Sequence, residues 1–318
     1  MRKKVVVVGS VNIDFVVRAP RLPVVGETVS SARFEVSVGG KGGNQAVATA
    51  RLGVATVMVA KLGDDDFGPY LRASLRAAGV NTQAIATARG VPTGVAFVLT
   101  APNGENQIVV APGANSTLRL AEIKRCRSLF RSAALVLAQL EVPPAPIARV
   151  AEMAARNGVP FILDPAPARS LPERLLRCVT LLTPNQAEAC VLCGRNPRRL
   201  TLAAGRELCR HLLRRGPRAV ILKLGERGAL LGEGGREVIY VPGFRVKAVD
   251  STGAGDAFNG ALAVALLEGK TLLEATRFAN AAGALAVTRP GAQPSMPTRT
   301  ELDSYLRLHR RAARPPPS

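Results

Sequence analysis

Short apolar runs rich in Val, Ile and Leu alternate with segments of helical spacing, and this rhythm limits the fold more than any other feature. The runs are Val5–Val8, Thr56–Lys61, Ala134–Leu140, Val159–Asp164, Val179–Thr183 and Ala219–Leu224. They have the length and near-continuous apolar character of strands buried on both faces. Between several of them, Gln45–Leu52, Phe67–Ala78, Ile147–Asn157 and Leu202–Arg214 carry apolar residues at helical spacing. This alternation predicts an α/β fold, a doubly wound and mainly parallel sheet with helices on both faces. Two stretches break the rhythm. Thr28–Val38 and Gly94–Val110 read as extended segments with polar alternation and a turn at Pro102-Asn103-Gly104. They predict a small antiparallel β lid, formed by segments about 15–38 and 93–111. Toward the C-terminus, Ala257–Leu267, Leu273–Val287 and Glu301–His309 read as helices. No repeat or low-complexity linker divides the 318 residues, which read as one domain, 1–318, with a basic, proline-rich and flexible tail over 307–318.

Charge is the compositional oddity. Lys and Arg number 43 against 23 Asp and Glu, a net +20. Nucleic acid, a membrane surface or an anionic small molecule are the partners such an excess calls to attention. The excess is spread evenly, +9 over residues 1–159 and +11 over 160–318, and 35 of the 43 basic residues are Arg. Nine Phe, three Tyr and no Trp offer no obvious base-stacking platform, which argues against nucleic acid. The apolar runs are strand-sized, so no membrane span is expected. The Met1-Arg2-Lys3-Lys4 start leads into an apolar run that ends at Gly9, without the features of a secretory signal. Five cysteines are no disulfide framework and point to a reducing cytoplasm.

The chemistry concentrates at strand ends, where parallel α/β sheets hold their ligands. Asn12 and Asp14 follow the first strand, Glu141 follows Leu140, Asp164 follows Leu163, and Asn185 follows Thr183-Pro184. Any one of them fits a helix cap or turn equally well; their gathering on one sheet edge favours a site. Gly39-Gly40-Lys41-Gly42-Gly43-Asn44-Gln45 opens a helix, and its glycines allow close approach of a ligand to which Lys41 and Asn44 can donate. The strongest motif is Asp250-Ser251-Thr252-Gly253-Ala254-Gly255-Asp256. Small residues at a helix start leave backbone N–H groups facing outward as an anion hole. An acid in that turn repels a phosphate unless it takes a proton from the attacking alcohol, the task this spacing gives Asp256. The plainer role for Asp256 is a first-turn acid on the helix dipole.

Other patterns do not hold. Gly269-Lys270-Thr271 imitates a P-loop ending, but Val264 stands where the earlier glycine is required. Neither glycine loop fits G-x-G-x-x-G, because the sixth positions are Gln45 and Phe258. Cys190-x-x-Cys193 has no second pair, and His211 and His309 are the only histidines, so helix packing explains the cysteines better than zinc. Glu226 and Arg227 fit a turn beside a nucleotide or a plain hairpin.

Together these residues resemble the ribokinase branch of the phosphofructokinase-B-type sugar kinases, from Val6 to about Leu306. The resemblance rests on Gly9 to Asp14, Gly39 to Ala46, Gln139-Leu140-Glu141, Asp164 to Ala168, Thr183-Pro184-Asn185, Asp250 to Asp256 and Gly291 to Ser295. It implies ATP-dependent phosphorylation of D-ribose at O5, giving D-ribose 5-phosphate and ADP. Asn12, Asp14, Gly40, Lys41, Gly42, Asn44 and Glu141 would form the sugar pocket. Asp256 would be the base, with Gly253, Ala254 and Gly255 holding the transferring phosphate. Asn185 and Glu188 would face Mg2+ and the ATP phosphates, while Lys223, Leu224, Gly225, Glu226, Arg227, Gly228, Gly255 and Asn280 would serve the nucleotide. Asp250, Thr252, Ala286, Arg289, Gly291 and Ser295 match positions that hold an activating monovalent cation, typically K+, mostly through carbonyls. The lid would cover the sugar and pair two subunits as a homodimer. Lys223 departs from the Thr that many members carry, and Gly43 from the more usual Ala. Kinases for deoxyribose, a nucleoside or another sugar remain open within the family; against a non-catalytic sugar sensor on this fold stand the intact Asp256 and glycine turn.

Overall fold

The four valines of residues 5–8 form the centre of the sheet. The computed structural model describes residues 3–30, 33–102 and 106–312. Strand β1 (Lys4–Val8) lies between β4 (Ala55–Gly63) and β9 (Leu135–Ala138), parallel to both. Beyond β9 follow β10 (Phe161–Leu163), β11 (Leu181–Leu182) and β12 (Ala219–Lys223), all parallel. An antiparallel pair, β13 (Gly228–Glu233) and β14 (Ile239–Pro242), closes that edge. At the other edge β5 (Val80–Asn81) and β6 (Ile85–Ala88) pair with β4. Side-chain alternation sorts the sheet into two cores. Val5, Val7, Leu137 and Ile221 face one, and Val6, Val8, Val136 and Val220 the other.

Helices cover each face, as the alternation predicts. The first core is closed by α1 (Lys41–Arg51), α2 (Phe67–Ala77), α9 (Ala254–Leu267), α10 (Leu272–Ala286) and α11 (Arg299–Ala312). The second is closed by α3 (Leu120–Arg125), α4 (Arg127–Arg131), α5 (Pro144–Arg156), α6 (Glu173–Leu176), α7 (Gln186–Leu192) and α8 (Leu202–Arg214). A separate four-stranded sheet forms the lid, in the order β3 (Arg33–Gly39), β2 (Asn12–Arg18), β7 (Gly94–Thr100), β8 (Asn106–Ala111). Its outer pairs are antiparallel and β2–β7 is parallel. Among the described residues no helix is long and apolar enough to cross a membrane.

Several boundaries differ from the sequence expectation. Helix α1 begins at Lys41 and α9 at Ala254, earlier than the apolar spacing shows; Gly42 and Gly43, poor in intrinsic propensity, are drawn into the first turn of α1 by burial, and half-buried Gly255 follows the Gly253 cap into α9. Residues 307–312 belong to α11 rather than to a tail, since Leu302, Tyr305 and Leu306 pack that helix onto the core. Positions 313–318, like Asn103 and Gly104 of the expected turn, lie outside the described residues. The β13–β14 hairpin escapes the pattern because its runs are short and broken by turn residues.

One close approach positions the site. Helices α1 and α9 pack so tightly that a Cβ on Gly260 would fall 2.5 Å from Ala48 Cβ and 3.2 Å from the Thr49 amide nitrogen. Only a residue without a side chain lets the backbones meet there. Gly260→Val should destabilise the fold by about 1–3 kcal/mol through overpacking. Urea unfolding checks this, and a variant as stable as the parent would mean the helices separate without cost.

Candidate active site

Chain order reverses direction across the sheet between β1 and β9, and such a switch point opens a crevice at the strand carboxyl ends. Asn12 and Asp14, Glu141, Asp164 and Asn185 come from the carboxyl ends of β1, β9, β10 and β11. The turn after β1 leads directly into lid strand β2, so Asn12 and Asp14 sit on the lid rather than in a loop. Next to them, α1 and α9 bring their first turns together.

Asp256 lies where these elements meet, 5% exposed in the first turn of α9. Asn44 Nδ2 donates to its Oδ2 at 2.9 Å, and Gln45 Nε2 donates to its Oδ1 at 2.9 Å. Burial is the main force raising its pKa; Asp164 adds to the rise, while Lys41 and the two amide donors oppose it. Gln45 Nε2 also donates to Asp164 Oδ2 at 2.9 Å, and Gln139 Nε2 bonds Gln45 Oε1. Lys223 Nζ pairs with the other oxygen of Asp164 at 2.9 Å. Lys41 is buried against its charge, yet Asp256, Asp164, Glu141 and Glu188 outweigh that cost and hold it protonated.

The Gly253 backbone at φ 76 caps α9 in the left-handed region that glycine tolerates. The first helical bond runs from Ala257 N to the Gly253 carbonyl, which leaves the amides of Gly255 and Asp256 without a helical acceptor. The Ala254 amide is engaged by the Ser251 carbonyl at 3.3 Å, so of the predicted phosphate residues Gly255 is the freer donor. This turn opens into a cavity of about 1260 Å³. Asn185, Glu188, Lys223, Leu224, Gly225, Glu226, Arg227, Gly228, Gly255 and Asn280 all line it, as do Lys41, Gly253, Ala254 and Asp256. The Gly225–Arg227 stretch is both hairpin turn and cavity wall. Asn280 donates to the carbonyls of Val241 and Pro242, bracing β14 from α10. Asn185 is also a helix cap: it and Glu188 form a capping box at the start of α7.

The remaining residues predicted for the sugar gather where the start of α1 meets the carboxyl ends of β1 and β9. Glu141 Oε2 accepts from Ser10 Oγ and from the Lys41 amide at 3.0 Å, tying the β9 end to the start of α1. Gly42 fits because a Cβ there would meet the Gly9 carbonyl carbon at 2.7 Å. Gly40 φ is 82, and a side chain there would press on the Asn12 amide. Asn12 Oδ1 accepts from Asn115 Nδ2 at 2.8 Å, leaving its own amide group for a ligand. Asn115 also bonds both backbone groups of Val11. Asp14 has a buried Oδ1 with no partner among the described residues, and its pKa is pushed up to about 7 by burial, Glu141 and Asp256. Asn44 Oδ1 is likewise buried and unpartnered. Such orphaned acceptors fit the hydroxyls of a sugar.

The proposed cation residues form a second cluster. Asp250 accepts from Thr252 through its amide at 2.9 Å and its hydroxyl at 2.6 Å, and from the Gly291 amide at 2.9 Å. Burial of Asp250 is outweighed by these donors, which hold its pKa low. Arg289 turns its guanidinium to Glu301 at 2.7 Å, and the Ala286 carbonyl accepts from the Arg289 amide. Ser295 is buried and donates to the Ala292 carbonyl at 2.8 Å. Sequence reasoning missed Gln45 as the link between two carboxylates, and it missed Asn115 and Ser10. Gln45 and Ser10 carried an advance signal, as members of the glycine motif and of the Gly9–Asp14 segment; Asn115 carried none.

A buried carboxylate under an anion hole, at the mouth of a cavity large enough for a nucleotide, is the arrangement of a small-molecule kinase. Whole-chain comparisons give the same class. The pfkB family carbohydrate kinase model matches residues 2–299, and the chain belongs to that family. It is 38% identical over 306 residues to a ribokinase of Haemophilus influenzae, covering 96% of this chain and 99% of the relative. A Bacillus subtilis ribokinase is 39% identical over 304 residues, with 96% and 99% covered. A deoxyribokinase of Salmonella typhi is 33% identical over 306 residues, again with 96% and 99% covered. The solved Arabidopsis thaliana ribokinase complexed with ribose and ATP superposes with a TM-score of 0.86 at 35% identity, covering 96% of this chain and 99% of that one.

The raised Asp14 pKa has a stability consequence. An unfolded Asp titrates near 3.8, so the native state holds the extra proton between about pH 4 and 7. Stability from this group is present below that window and lost as pH rises through it. Asp14→Asn should therefore be more stable than the parent at pH 8 by on the order of 3–4 kcal/mol, with the gap closing near pH 4. Unfolding curves at the two pH values check this; a constant gap would contradict it.

Proposed function

We propose that this chain is an ATP-dependent ribokinase, transferring the γ-phosphoryl group of ATP to O5 of D-ribose. The observation that carries the reading is Asp256, a buried carboxylate clamped by Asn44 and Gln45 beside free helix amides. The full-length likeness to ribokinases supports ribose as the sugar. Asp14, Asn12, Asn44, Lys41, Glu141, Gly40 and Gly42 hold the furanose hydroxyls, with the orphaned oxygens of Asp14 and Asn44 as the first acceptors. O5 attacks the γ-phosphorus in line, the bond to the ADP oxygen breaks, and the hydroxyl proton passes to Asp256. The Gly253–Gly255 turn receives charge on the phosphoryl oxygens through its amides. The nucleotide lies along Leu224, Gly225, Glu226, Arg227 and Gly228 and against Asn280.

The oxygen donors of Asn185 and Glu188 suit Mg2+ beside the phosphates, where the ion neutralises charge on ATP. A monovalent cation, K+ in this reading, fits the second cluster. Asp250 bonds the 252 and 291 loops together, and Arg289 commits its side chain elsewhere, so main-chain oxygens of Thr252, Ala286, Arg289 and Gly291, with Ser295, form the donor set. Its positive charge beside the anion-hole turn favours phosphate there. Register places Val36, Phe15, Phe97 and Val109 in one row across the lid, and Val36, Phe97 and Val109 are largely exposed. Covering that apolar row by a second copy gives a homodimer through the lid. Five free cysteines suit a reducing cytoplasm.

Sugar-dependent ADP release across ribose, deoxyribose, other pentoses and nucleosides tests the reading, run with and without Mg2+ and K+. The expected result is highest kcat/KM for ribose, dependence on Mg2+ and stimulation by K+, with sedimentation at twice 33.4 kDa. Preference for deoxyribose or a nucleoside would overturn the substrate assignment.

A further inference from the structure

Lys223 lines the cavity, but its ammonium is committed to a carboxylate. The side chain is 13% exposed and its partner Asp164 is 2% exposed. A pair so buried costs desolvation and is weak evidence of a stabilising role, since apolar residues pack such a place as well. Its position is informative. Asp164 and Asp256 accept from the same Gln45 nitrogen, so their facing oxygens are no farther apart than two 2.9 Å bonds laid end to end. A carboxylate at that range disfavours ionisation of Asp256. Lys223 is bonded to the far oxygen of Asp164 and lies 3.5 Å from where a Cβ on Gly255 would sit, one residue from the base. Gln139 fixes the orientation of the shared amide by donating to Gln45 Oε1, so nitrogen must face both acids.

We propose that Lys223 and Asp164 act as one charge-balanced pair that sets the pH at which Asp256 can accept a proton, Lys223 being a positioning residue rather than a phosphate ligand. Asp164 holds the Gln45 amide toward the base, and Lys223 cancels the charge this requires. The other charged groups around Asp256 are Lys41 from α1, Asp14 from the lid, Glu141 after β9 and Glu188 from α7; burial, Asp164 and Lys41 dominate its titration. The base needs its proton off before the transfer, so an uncancelled Asp164 delays activity to higher pH. This rests on the kinase reading above.

The test is the pH profile of kcat at saturating ribose and MgATP for the parent, Lys223→Met, Asp164→Asn and the double variant. Lys223→Met should move the acid limb up by about one to two pH units, with a loss of roughly tenfold or more on that limb that recovers at high pH. Asp164→Asn should move the limb down, and Asp164→Asn/Lys223→Met should return it to the parent position. Loss at every pH without a limb shift, unrelieved in the double variant, would make Lys223 a phosphate contact and overturn the proposal. A Lys223→Met profile superimposed on the parent would overturn it too. Should Lys223→Met fail to fold, Asp164→Asn and the double variant, which bury no unpaired carboxylate, decide by the same limb positions. Absence of sugar-dependent ADP release by the parent would instead overturn the kinase reading, and this proposal with it.

Discussion

The meeting of the first turns of α1 and α9 is the contact on which the rest of the site depends. Backbone approach at Gly260 brings Asn44 and Gln45 within 2.9 Å of Asp256. From there the order is local. Gln45 reaches Asp164, Asp164 reaches Lys223, and Glu141 pins the start of α1 through the Lys41 amide. The parallel sheet supplies the strand ends from which these groups come, and the switch between β1 and β9 makes the opening between them. The placement of Asp256 follows from a packing constraint between helices, with hydrogen bonds choosing the final rotamers.

The site is acidic for something that receives a triphosphate. Asp14, Glu141, Asp164, Glu188 and Asp256 surround Lys41 and Lys223, and burial raises the pKa of three of those carboxyls, Asp14, Glu188 and Asp256. Crowding of acids costs stability, and a group that neutralises or hydrogen-bonds them offsets that cost. Asp14 shows this most plainly, with a buried oxygen that has no hydrogen-bond partner among the described residues. The +20 charge of the chain bears little on this: it is scattered, whereas the chemistry lies in a few buried charges of opposite sign.

Much of this was legible in the sequence, for identifiable reasons. Strands buried on both faces leave continuous Val and Leu runs, so β1, β4, β9, β10 and β12 are visible. The glycine turn before Asp256 is visible because few other tasks require small residues and an acid together. Hydrogen-bond partners across long separations are not. Gln45 and Asp164 are 119 positions apart, and only the fold reveals that one amide serves two acids. Asn115 is equally hidden, since a lone Asn after Gly113 reads as a turn residue until it is found stapling Val11 and Asn12. The lysine at 223, read from sequence as a nucleotide contact, spends its charge on Asp164. The β13–β14 hairpin is set by pairing against β12 and its own runs are too short to announce it.

The central claim is that Asp256 is the base and that its neighbours exist to hold it. Asp256→Asn keeps the shape of the residue and removes the proton acceptor. Pre-steady-state and steady-state turnover with ribose and MgATP, alongside calorimetric binding of each ligand, measures the claim directly. The account predicts a fall in kcat of about 10²–10⁴-fold with ribose affinity nearly intact. Turnover at the parental rate, or a loss explained wholly by weaker ribose binding, would contradict it.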